Sequence, residues 1–81
     1  SDLIAREFIA RIEALYPAAG HAMATRAYMF AISVSISLMA NTGREATLAG
    51  TPPGQDDPEG VIRDAVQFVS AGAGAILGRA P

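Results

Sequence analysis

The side chains that could do chemistry in this sequence are few. They are one histidine, His21, two tyrosines, Tyr16 and Tyr28, and three alternating serines, Ser33, Ser35 and Ser37. A nucleophilic serine needs a base to take its proton. No His, Asp or Glu lies between residues 22 and 44, so these serines have no partner near them in sequence. His21 reads first as a residue of a solvated turn, having no second ligand at metal spacing, and the lack of cysteine excludes thiolate sites and disulfides. Paired carboxylates and a glycine-rich phosphate loop are also missing. The reading is therefore of a protein that is not an enzyme, with no catalytic residues, no cofactor and no metal. Tyr28 reads as a core residue whose phenol wants a partner if buried. Arg26 interrupts an apolar face and is expected to pair with Glu7 or Glu13.

The 81 residues are 51 % apolar and only 17 % charged. A chain this short buries about 60 to 65 % of its unfolded surface, so it carries more apolar surface than it can hide alone. A partner surface is implied. The net charge is −2, and the six arginines, at 6, 11, 26, 44, 63 and 79, form no basic patch for phosphates. Seventeen alanines with no lysine suit a bacterial genome rich in G and C, and the missing cysteines fit a cytoplasmic location. The start, "SDLIAREF", has neither the basic residues nor the apolar run of a signal peptide and reads as the beginning of a fragment. Residues 27 to 43 carry no charge, but their apolar part is fourteen residues. As a helix that is about 21 Å, short of the roughly 30 Å of a bilayer core, so no membrane span is expected.

These residues must be held by helices. In "DLIAREFIARIEALY" Ile4, Phe8, Ile12 and Leu15 form one stripe, widened by Ile9 and Tyr16, which predicts an amphipathic helix over 2–16, capped by Asp2 or Ser1 and closed by Pro17 and Gly20. The stretch "FAISVSISLMAN" alternates like a strand. However, no glycine or proline occurs between His21 and Thr42, and a strand of that length would far exceed the usual 3 to 10 residues. A helix over 22–42 is predicted, stopped by Gly43, with Asn41 and Thr42 at its end. Each serine can then return its hydroxyl to a carbonyl one turn back. This helix has Met23, Ala27, Phe30, Val34 and Leu38 along one side, and Met29, Ile32, Ile36 and Met39 along another. Two different surfaces must cover it.

The connection "GREATLAGTPPGQDD" is rich in proline and glycine, and its "REATLA" suits a helical turn. Asp57 as N-cap, Pro58 at the first helical position and Glu59 then predict a third helix over 58–78. Ile62, Ala65, Val69, Gly72 and Ile76 would line its main face, with Val61, Phe68 and Ala75 flanking and Arg63, Asp64 and Gln67 on the wetter side. Gly72, Gly74 and Gly78 each cost about 0.8 to 1 kcal/mol in a helix; the stretch reads either as a fraying C-terminal end or, in the preferred reading, as a smooth patch on which another helix packs.

A long apolar helix ending in Asn-Thr-Gly, an acidic Pro/Gly loop, then "DPEGVIRDAVQFVSAGAGAILG" resembles the last helices of TetR-family transcriptional regulators, over about residues 3 to 80. The resemblance implies an all-α fold of three helices, the last two a long antiparallel pair that forms a four-helix bundle with a second subunit. It makes residues 1–81 a C-terminal dimerisation and effector-domain fragment, part of the ligand-binding domain, without the DNA-binding helix-turn-helix. The implied partners are a second copy (homodimer), a small-molecule effector in the parent protein, and operator DNA through a domain not present here. The dimer interface would use Phe30, Val34, Leu38, Val69, Gly72, Ala73, Gly74, Ile76 and Leu77, and His21 and Tyr28 are possible effector contacts. The alternative is a stand-alone helical module that pairs with itself or another chain.

With scattered arginines and a net negative charge, this chain should show no salt-dependent affinity for duplex DNA. Micromolar binding to random duplex at moderate salt, weakening as salt rises, would reveal a basic surface the sequence hides.

Overall fold

Four helices and one 3-10 turn build the chain, shown by a computed structural model that describes residues 2–40, 43–52 and 54–79. Helix α1 runs Asp2–Leu15 and ends one residue before the predicted limit. The turn Pro17–Ala19 follows, then Gly20, whose φ of 85° is a conformation that favours glycine, turns the chain directly into α2, Gly20–Ala40. The expectation that Gly20 belongs to the end of the first helix is thus corrected, since Gly20 opens the second. Asn41 and Thr42, expected at the end of α2, lie outside the described residues. Helix α4 spans Pro58–Leu77.

No strand occurs among the described residues, so the alternating serines are helical. Ser33 Oγ donates to the Met29 carbonyl at 2.8 Å and Ser35 Oγ to the Ala31 carbonyl at 2.9 Å. These two hydroxyls meet their own helix, and all three serines are exposed, so none needs a partner on a neighbouring helix.

The count of three helices is corrected to four. Arg44–Ala49 forms a short α3, because Gly43 and Gly50 bracket it in the left-handed region, at φ 76° and 72°. Thr47 Oγ1 donates back to the Gly43 carbonyl at 3.0 Å, and the Gly50 N–H closes the other end on Ala46 and Thr47. Two glycines thus turn "REATLA" into a closed element.

Helix α2 packs against both α1 and α4. Leu38, near the end of α2, shares a groove with Val61, Ala65 and Phe68 of early α4, while the Tyr16 hydroxyl, just before α2, lies near Gly74 of late α4. The long pair is therefore antiparallel. Its core is thin: Ile9, Ala24, Ala27 and Leu77 are the buried apolar side chains. On α4 the row Val61, Ala65, Val69 and Ala73 is turned inward at i,i+4 spacing and continues to Leu77, while Ile62, Val66 and Gly72 are exposed. The inward face is thus turned by one residue from the predicted one at its start.

The radius of gyration is 15.4 Å, against about 12 Å for a compact domain of this length. The accessible surface is 6387 Å², roughly 1,800 Å² above the ~4,600 Å² of a folded monomer of this mass. The helices Pro17–Ala40, counted with the turn, and Pro58–Leu77 are also long and apolar enough to cross a membrane, by length and composition only.

At the start of α4, Asp57 Oδ1 accepts from the Gly60 N–H at 3.1 Å, with Pro58 at the first helical position. A Cβ on Gly60 would collide with the Asp57 carboxylate. In its present rotamer the carboxylate occupies the space that such a Cβ would take. Asp57→Ala should therefore cost about 1 kcal/mol. Gly60→Ala alone should be nearly neutral, because the helix gain of about 0.8 to 1 kcal/mol offsets the lost cap. In the Asp57→Ala background the same change should stabilise by about that helix gain. Urea unfolding of the four proteins checks this, and additive effects would contradict the collision.

Candidate functional site

The polar residues singled out in the sequence are engaged at the joint between α1 and α2. His21 Nδ1 lies 3.1 Å from Glu13 Oε1, tying the first turn of α2 to the end of α1. Glu7 receives Arg11 at 2.9 Å, an i,i+4 pair within α1. Arg26, expected to use one of these two carboxylates, is exposed and has no ion pair among the described residues, because both carboxylates have nearer partners. Tyr28 is half-buried and its ring stacks on Phe8, with centroids 6.3 Å apart and planes at 24°. Both candidate effector contacts thus lie where α2 meets α1. Among the described residues no group of three or more His, Asp and Glu is placed to hold a metal.

The nine candidate interface residues fall into three groups. Leu77 is buried within the chain. Val34, Leu38, Val69, Ala73, Gly74 and Ile76 are half-buried. Phe30, 57 % exposed, and Gly72 stand in solvent. A Cβ at Gly72 would meet nothing within 4 Å, whereas one at Gly74 would face the Tyr16 hydroxyl at 3.6 Å. Gly74 therefore has an internal neighbour, and Gly72 has open space.

The exposed apolar side chains lie on more than one side of the molecule. Leu3, Ile4, Phe8 and Leu15 are more than half exposed on α1. Met29, Ile36 and Met39 are likewise open on α2, as are Ile62, Val66 and Phe68 on α4. Of the two apolar sides read on α2, one is partly covered and the other, from Met29 to Met39, is largely open.

A feature the sequence reading missed is a shallow groove of about 270 Å³ lined by Leu38, Glu45, Val61, Asp64, Ala65 and Phe68. Its four α4 residues are spaced i, i+3, i+4 and i+7, a stripe visible in the sequence. It was obscured because Asp64 reads as a wet-side residue.

Neither a curated protein nor a solved structure matches this chain. A family profile described as "Tetracyclin repressor-like, C-terminal domain" matches residues 1–72. The match takes in α1, α2, α3 and most of α4, the helices whose apolar faces stand open. By that match, this all-helical chain belongs to the tetracyclin repressor-like C-terminal domain family.

Proposed function

We propose that residues 1–81 are the dimerisation region and part of the ligand-binding domain of a TetR-like transcriptional repressor, cytoplasmic and without catalytic activity. Two copies associate through α2 and α4 as a four-helix bundle. The pair holds two helix-turn-helix domains, carried by the rest of the parent protein, at the separation that operator half-sites require. A small-molecule effector bound beside α1 and α2, where His21 and Tyr28 sit, changes that separation and so couples ligand to DNA.

The observation that carries this reading is the surplus surface. Interfaces of permanent dimers bury about 2,000 to 5,000 Å² in total, or about 1,000 to 2,500 Å² on each partner. The roughly 1,800 Å² by which this chain exceeds a monomer of its mass falls in that range. Exposed apolar side chains on α2 and α4, Phe30, Met29, Ile62, Val66 and Phe68 among them, supply the chemistry. Family membership supports a regulatory role rather than an enzymatic one.

Gly72 gives a clean test, because its open surroundings mean that a larger side chain harms nothing inside the chain. Gly72→Leu should strengthen α4 by roughly 0.8 kcal/mol in each chain through helix propensity. It should nonetheless weaken the dimer by about tenfold or more, since bulk enters a close contact and acts once from each subunit. Gln67→Ala, on an exposed position, should leave association unchanged. Sedimentation of the three proteins at matched concentrations reads this out. A wild type that is monomeric at tens of micromolar, or a Gly72→Leu variant as dimeric as wild type, would remove the glycine face from the interface.

A further inference from the structure

The groove between the end of α2, α3 and early α4 has an apolar lining of Leu38, Val61, Ala65 and Phe68, and two carboxylates, Glu45 and Asp64. No basic residue lines it. Among the described residues the one Arg–carboxylate ion pair is Arg11 with Glu7, and His21 lies against Glu13, so neither groove carboxylate has a cationic partner among them. Each does have an arginine immediately before it, Arg44 before Glu45 and Arg63 before Asp64. Adjacent helix residues point about 100° apart, so those arginines are turned away from the carboxylate beside them. Every copy therefore presents an acidic, apolar groove and, next to it, arginines that have no ion pair among the described residues.

Leu38 belongs both to this groove and to the face proposed for dimerisation, and Phe68, 76 % exposed, extends the same surface. A second copy that covers Leu38 also covers the groove. Covering two carboxylates without a cation is strongly unfavourable, because they lose water and gain nothing in return. The chain has no lysine, and its arginines carry an apolar stem behind a fork of donors that suits a carboxylate. Resting on the dimer reading above, we infer that the groove formed by Leu38, Glu45, Val61, Asp64, Ala65 and Phe68 receives an arginine side chain from a second copy of this chain. The stem lies on Phe68 and Val61, and the guanidinium meets Glu45 and Asp64. Two-fold symmetry repeats the contact, so it fixes the register of the two α4 helices as well as adding affinity.

The test uses the intact protein and the double variant Glu45→Gln/Asp64→Asn, with circular dichroism to confirm that helix content is kept. If an arginine meets the carboxylates, the variant's dimer dissociation constant rises roughly tenfold and the salt dependence of dimerisation flattens. One of Arg6→Gln, Arg26→Gln, Arg44→Gln, Arg63→Gln or Arg79→Gln, the arginines other than Arg11 with its Glu7 partner, then reproduces the loss, and combining it with the double variant adds little further. If instead the two acidic grooves merely face one another, neutralising them tightens the dimer, and the inference is overturned. A wild-type dimer indifferent to the double variant, or one in which no arginine variant couples to it, overturns the inference while leaving the dimer reading intact. A wild type that remains monomeric removes both.

Discussion

The small side chains of α2 govern the architecture. Ala24 is 1 % exposed, and Ala27 is likewise buried, so on this part of α2 there is little more than backbone between the neighbouring helices. The close approach lets α1 and α4 lie on the same helix, with Leu77 buried near the end of α4 and the Tyr16 hydroxyl reaching Gly74. Short side chains also bury little apolar area each, at about 25 cal/mol per Å². Close packing and a thin core are therefore two results of the same alanines.

Polar groups are placed so that this thin core is not burdened further. The Ser33 and Ser35 hydroxyls of α2 bond to their own helix, the first turn of α4 is capped by Asp57, and the Arg11–Glu7 ion pair sits at the surface, as does His21 in its contact with Glu13. Surface pairs of this kind contribute about 0 to 1 kcal/mol, so they set geometry more than stability. The His21–Glu13 contact is an example: it spans the Pro17–Ala19 turn and joins the start of α2 to the end of α1.

Much of the fold was legible because the signals were local. Pro58 after Asp57 marked the start of α4 to the residue, and the absence of glycine and proline from 22 to 42 overruled the strand-like alternation of the serines. Gly60 was not legible, because its role depends on which way the Asp57 carboxylate turns. The facing of α4 was also missed by about one residue. Ile62 and Val61 are both apolar, and periodicity cannot choose between them when a helix has apolar residues around most of its circumference. The pairing expected of Arg26 failed for a related reason: several cations competed for two carboxylates, and reach within α1 decided the outcome for Glu7. The groove at Glu45 and Asp64 draws on three helices, so only part of its lining could be read along the chain.

The ambiguity in the facing of α4 has a physical meaning of its own. A helix meant to have one wet side shows a clear polar stripe, whereas α2 and α4 present apolar residues to two sides and α1 keeps Ile4, Phe8 and Leu15 largely open. Such helices leave apolar surface that the single chain does not cover. In the dimer proposed above, folding and association would share one free-energy balance: burial that the single chain lacks is supplied when its faces are covered, and apparent stability then depends on concentration. Stability measured on the separate chain and stability in the assembled protein are consequently different quantities. In that proposed dimer, substitutions at exposed Ile62 or Val66, which look harmless on the single chain, would act chiefly on the second.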